Sequence, residues 1–341
     1  MCSHFLRMFN CNVSNKAITS LLECDVPAFK VVYMKSTFIA LILLCFTIII
    51  ASSYNNHTTP YIDFRQQSED TIINYKIDSD QRPIVIALAS VMSPNETIGY
   101  YRKIADYVAE QTGRQTILIQ RKTYAEVNML LANGDIDIAF LSTGAYSSYR
   151  GMNEIELLVM AERLGNSLYT AEIIVHKDST IRTMNDLEGK VFAFTDPLSY
   201  SGHMVIEEHL RQKNTIPEKF FNRYFYTYSH DKSLWAVANK IADGASFDSQ
   251  IYDYAKEKTP ELTANVRIIA SMGPAPTGPV VINKKLKPEQ KEQLRHIFLT
   301  LHENPDVSEA MQGLVIDRFV MPIPELYKPL RKLYDRTSVI L

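Results

Sequence analysis

The chain has 341 residues, enough for two compact lobes at about 100–200 residues per domain. A formal net charge of −2 with 22% charged residues excludes a basic nucleic-acid-binding stripe, and 46% hydrophobic residues exclude both a disordered chain and a multi-span membrane protein. All four cysteines (Cys2, Cys11, Cys24, Cys45) precede the globular part, which excludes a Cys nucleophile or a Cys-based zinc site there.

Residues 1–33 carry no clear pattern and form an uncertain upstream stretch, for which a start at Met34 is one reading. Met34-Lys35 precedes the apolar run Thr37–Ala51, followed by the small residues Ser52 and Ser53, so 34–53 has the layout of a secretory signal. The run is short for a spanning helix, which needs about 20 apolar residues, yet an uncleaved anchor stays open. Residues 54–82 are polar, with Pro60, and read as a linker.

An α/β alternation begins at Pro83. Pro83–Ser90 is a predicted strand. Ile98, Tyr101, Ile104, Ala105 and Val108 fall at helical spacing, with Gly113 as the cap beyond them. Thr116–Gln120 is a strand, Tyr124–Asn133 a helix closed by Gly134, and Ile136–Leu141 an apolar strand of the kind buried on both faces. This succession argues for a mostly parallel sheet. A second unit from about His176 holds strands at 191–195, 221–228, 245–247 and 266–271, and helices after Ser201 and around Leu234–Ile241. Pro274, Pro276 and Pro279 punctuate a return to Val280–Ile282, and three C-terminal helices follow. The expected lobes are therefore 83–175, 176–276 and 277–341, the last rejoining the first, with two crossing segments near Glu172–Val175 and Thr277–Ile282.

The stretch V-F-A-F-T-D-P-L-S-Y-S-G-H at 191–203 carries the chemistry. A strand broken by Pro197 and Gly202 opens a helix, and the free N–H groups of a first helical turn favour an anion. Ser199 and Ser201 add hydroxyls able both to cap the helix and to donate to an oxyanion. In the first unit, Thr143, Gly144 and Tyr146 lie at a similar strand-to-helix passage. An ordinary N-cap is the plain alternative at both places.

Asp196, Pro197, Ser199, Ser201 and Gly202, the later Ser229-His230-Asp231, the D-I-A-F-L-S-T-G-A-Y segment at 137–146, Tyr169–Ser179 and Asp186–Lys190 together resemble the phosphate/phosphite/phosphonate substrate-binding proteins of ABC importers. The resemblance runs in order from about Pro83 to Met321. It implies a two-lobed α/β architecture of the periplasmic-binding-protein type 2 class, with two hinge crossovers and a ligand cleft between the lobes. Ser199, Tyr200 (where the family more often has Thr), Ser201 and Gly202 would hold the phosphoryl group, with Thr143, Gly144 and Tyr146 facing them. Tyr124 and Tyr169 look like the family's cleft aromatics. His230, placed beside a dianion, would become a charged donor. Asp248 would accept from a protonated phosphate oxygen or a ligand amino group. Lys177, Lys190 and Arg163 read as solvated charges.

The expected function is capture of a phosphorus oxyanion outside the cytoplasm, by a monomer that serves a membrane ABC permease. A membrane-tethered ligand sensor is the alternative. No Walker loop, G-x-S-x-G or helical His/Glu pairing marks an enzyme, so no catalytic residue, cofactor or metal is expected.

Overall fold

The computed structural model describes residues 82–336, Ser90 excepted. The upstream stretch, the export segment 34–53 and nearly all of the linker lie outside the described residues. Among the described residues no helix is long and apolar enough to cross a membrane.

In the first lobe, β1 (Ile84–Ala89), β2 (Thr116–Arg121) and β3 (Ile138–Phe140) run parallel, with helices Pro94–Thr112 and Tyr124–Asn133 between them. Ile84, Ile86 and Leu88 of β1 point into one core while Ala87 and Ala89 point into another, so the strand is apolar throughout. Helix Pro94–Thr112 lays Tyr101, Ile104, Ala105 and Val108 on the first of these cores and ends at Gly113 in the left-handed conformation, φ 66°. Helix Tyr124–Asn133 opens on a capping box: the Thr123 hydroxyl accepts from the Glu126 N–H, and the Glu126 carboxylate accepts from the Thr123 N–H at 2.8 Å. Three further strands complete the sheet: β4 (Ile155–Glu162), β10 (Pro279–Asn283) and β11 (Arg318–Val320), in the order β11-β4-β10-β3-β1-β2.

The second lobe holds β5 (Leu168–His176), β6 (Val191–Phe194), β7 (Arg223–Tyr226), β8 (Gly244–Asp248) and β9 (Val266–Pro276), in the order β7-β6-β8-β5-β9. Alternation again fills both faces. Phe192 stacks on Phe221 at 4.5 Å on one side, while Ala193 joins Leu234, Val237 and Phe247 on the other.

Two features differ from the sequence expectation. Each sheet is mixed: β1–β3 and β6–β8 are parallel sets, whereas β10, β4, β5, β9 and β11 join antiparallel. Of these, β5 and β10 enter directly from the neighbouring lobe, with no crossover helix to turn them round. Glu172–Val175 is also not a crossing segment but the middle of β5, paired with β8 and β9. The chain passes between the sheets at 163–167 and again at Thr277–Gly278.

The lobes are shut on one another. Across the cleft the Ser93 N–H donates to Asp231 at 2.9 Å, the His230 N–H to the Val91 carbonyl at 3.0 Å, and the Tyr124 N–H to Asp196 at 3.2 Å.

Candidate functional site

Ligands of open α/β sheets bind beyond the carboxyl ends of the parallel strands. Here Val91 follows β1, Tyr124 follows β2, Ser142 and Thr143 follow β3, Ser199–Ser201 follow β6, His230 follows β7, and Asp248 ends β8. All of them line one cavity between the lobes, together with Tyr169 of β5 and Thr277-Gly278 of the second crossing. Its volume is about 30 Å³, room for roughly two or three waters or one compact oxyanion head.

The β6 turn supplies donors. The Ser199 hydroxyl accepts the Gly202 N–H at 3.0 Å, so Ser199 is the N-cap of the helical turn Tyr200–Met204. Its own proton stays free to donate, since a hydroxyl both accepts and donates. Gly202, expected among the ligand residues, has its N–H taken by this cap. The turn's first N–H groups, those of Tyr200 and Ser201, are the ones a helix leaves over. Gly202 packs behind the turn: a Cβ there would lie 2.4 Å from the Thr195 side chain. The Ser201 carbonyl is fixed by a hydrogen bond from the Ser246 hydroxyl. The Tyr169 phenol also lines the cavity, with its ring edge-on to Tyr200 at 6.2 Å. Burial first, then the nearby Asp248 charge, pushes its pKa up, so it is a neutral donor.

The first lobe departs from expectation in detail. Thr143 reaches the cavity, but its hydroxyl donates to the Pro276 carbonyl at 2.6 Å. Gly144 lies not on the cavity wall but on the lobe contact. A Cβ there would sit 1.8 Å from the Leu198 carbonyl and 2.3 Å from the Tyr334 hydroxyl. Tyr146 is a packing residue: its ring meets Tyr327 edge-on at 4.9 Å, with the Arg331 guanidinium 4.9 Å from its centroid.

His230 is buried, and its Nδ1 accepts the Asp248 N–H at 3.3 Å. That bond puts the ring proton on Nε2. Burial, and then the Arg163 charge, lower its pKa to about 3. His230 in this closed form is therefore a neutral donor, and the charge expected of it from the sequence applies beside a dianion. Asp248 caps helix Ser249–Lys258 through Oδ1, which accepts from Gln250 at 2.8 Å and Ile251 at 3.3 Å. Burial raises its pKa to about 6 against the lowering effect of Arg163. Asp196 is not in the cavity wall. It accepts the N–H groups of Leu198 and Tyr124, and burial raises it to about 6 as well.

Sequence reasoning missed Arg163, read as a solvated charge, and Gln250. Both line the cavity. Arg163 sits just past β4 at the first crossing, a position invisible while β5 was itself taken as the crossing.

Residues 86–327 match the family described as the phosphonate periplasmic substrate-binding protein of ABC transporters. The chain belongs to this family. Over 198 residues it is 28% identical to the phosphonates-binding periplasmic protein of Escherichia coli K12, a match covering 56% of this chain and 58% of that protein. The binding-protein component of an ABC phosphonate transporter from Pseudomonas aeruginosa is 25% identical, with TM-score 0.68 over 74% of this chain and 85% of that one. PhnD1 of Prochlorococcus marinus, solved with methylphosphonate, shares the fold with TM-score 0.68 at 15% identity, covering 75% and 98% of the two chains. The architecture is that of type 2 periplasmic binding proteins: two α/β lobes and two crossings.

Proposed function

We propose that this member of the phosphonate-binding family captures a small phosphorus oxyanion (a phosphonate, phosphite or phosphate) between its lobes and delivers it to an ABC permease. One observation carries this reading. Ser199, Tyr200, Ser201, Tyr169 and His230, a set rich in hydroxyl, N–H and ring donors, line a single small cavity. Such preformed neutral donors hold a phosphoryl group without full countercharge. In the same reading the chain works as a monomer outside the cytoplasm, exported or anchored by residues 34–53.

Calorimetric titration against phosphate, phosphite and alkylphosphonates tests it. A hydroxyl bonded to a charged ligand contributes about 1.5–3 kcal/mol, so Ser201→Ala should weaken binding roughly ten- to hundredfold with an unchanged melting temperature. Ser199→Ala should lose similar affinity and also about 1 kcal/mol of stability, because it removes a cap. Unaltered affinity in both variants ends the phosphoryl-site reading.

A further inference from the structure

Contacts one residue away from the cavity wall fix how far apart the lobes stand. Leu198, beside Ser199, is buried in the first lobe's core at 1% exposure, and a Cβ on Gly144 would lie 1.8 Å from its carbonyl. Met92, beside Val91, is buried in the opposite core with Leu234 and Phe247. The second crossing is no looser. A Cβ on Gly278 would lie 2.2 Å from the Leu141 carbonyl, and the Tyr327 hydroxyl donates to the Thr277 carbonyl at 2.7 Å. Backbone set against backbone does not yield as a flexible side chain does. A longer ligand must therefore part the lobes or displace a side chain of the wall.

Tyr124 is the first lobe's aromatic in that wall, and it is pinned. It opens a helix held by the Thr123–Glu126 capping box, and its N–H donates across the cleft to Asp196 at 3.2 Å. Its side chain belongs to the same core as Leu131, Leu141 and Leu198, so turning the ring aside would disturb that core. The cavity of about 30 Å³ is filled by one oxyanion head. Phosphite, phosphate and methylphosphonate differ only in the fourth substituent on phosphorus, which is a hydrogen, an oxygen or a methyl carbon. A two-carbon substituent adds a further heavy atom, for which the closed wall leaves no space.

We infer that the closed cleft limits its ligand to one non-hydrogen atom beyond the PO3 group, with Tyr124 as the wall that sets the limit. Phosphite, phosphate and methylphosphonate fit, and phosphonates with two or more carbons are selected against. This rests on the phosphorus-oxyanion reading above and deepens it.

Four ligands separate the possibilities: phosphite, methylphosphonate, ethylphosphonate and 2-aminoethylphosphonate, each titrated by calorimetry into the purified full chain near neutral pH. A methylene too many in a close-packed site costs roughly tenfold or more, whereas a cleft with room to spare would reward it with about fourfold tighter binding. Methylphosphonate should accordingly bind at least about tenfold tighter than either two-carbon ligand. Tyr124→Ala should narrow the gap between methylphosphonate and ethylphosphonate by about tenfold, whatever it does to the affinity for both. The ranking in the unmodified protein stands even if the variant folds poorly. Ethylphosphonate or 2-aminoethylphosphonate binding the wild type as tightly as methylphosphonate overturns the size limit while leaving the oxyanion reading intact. A gap left unchanged in folded Tyr124→Ala overturns the place of Tyr124 in it. No binding of any of the four overturns both the limit and the reading beneath it.

Discussion

Ser142-Thr143-Gly144 in the first lobe and Ser199-Tyr200-Ser201 in the second each follow a parallel strand, and each serine caps its turn. Ser142 accepts the Ala145 N–H at 3.1 Å and Ser199 the Gly202 N–H at 3.0 Å. Beyond the cap the two turns part. In the second lobe the hydroxyls face the cavity. In the first, the Thr143 hydroxyl is tied to Pro276, and the turn's distinctive residue is Gly144, pressed against Leu198 and Tyr334. One turn lines the cavity with hydroxyls, and the other lies where the lobes meet. Capping and binding are thus not rival readings of a serine, because one hydroxyl can serve an N–H with a lone pair and an anion with its proton.

That division of labour is most sharply tested at Gly144. A side chain there collides with backbone of the opposite lobe, which cannot yield as a flexible side chain would. Gly144→Val should hold the cleft open and lower affinity by about a hundredfold or more, since each about 1.4 kcal/mol of lost closure energy is a factor of ten. Most core residues of each lobe pack within it, with Leu198 and Leu330 reaching across, so unliganded melting should fall by only a few degrees. Ligand affinity beside scattering-derived dimensions checks this, and an unchanged affinity would falsify the closure role.

Much of this was legible in the sequence, for identifiable reasons. β1 and β3 announce themselves as apolar runs, and Gly113 and Gly134 mark helix ends where only a left-handed residue fits. Of the expected ligand set, Tyr124, Thr143, Tyr169, Ser199, Tyr200, Ser201, His230 and Asp248 line the cavity. Gly144, Tyr146 and Gly202 do not, because proximity in sequence says nothing about which side of a turn faces the cleft. The first crossing was misplaced because E-I-I-V reads alike in a crossing strand and a central one. Arg163 went unrecognised for the same reason, and the charge state of His230 depends on burial that no local pattern reports.

A smaller effect separates the two turns through His230, which belongs to the second lobe's cradle. Its folded pKa of about 3 lies below the ordinary 6.5 of the unfolded chain. As pH falls below 6.5 the unfolded state takes a proton that the folded state refuses, so stability is lost by up to roughly 1.4 kcal/mol per pH unit until about pH 3. Asp196 and Asp248 act in the opposite sense. Their folded values near 6 exceed the ordinary 3.8, so the folded state is favoured as pH falls through 6. Comparing denaturant unfolding of the wild type and His230→Asn between pH 7 and 5 isolates the histidine. Parallel pH profiles would show that His230 does not carry this burden.

An exposed contact across the cleft gives the finest test. At its rim, Lys122 of the first lobe places its ammonium 4.4 Å from the ring centroid of Tyr228 in the second. Lys122 is exposed, and an exposed cation–π pair is worth about 0.5–1 kcal/mol. If the contact forms only when the lobes close, Lys122→Ala should weaken ligand binding roughly two- to fivefold. Tyr228→Leu should do the same, while Tyr228→Phe, which keeps the ring, should change little. The double variant decides between this contact and a general loss of positive charge near an anion: a shared contact makes the two losses non-additive. Fully additive losses in ligand affinity would mean that Lys122 acts through its charge alone.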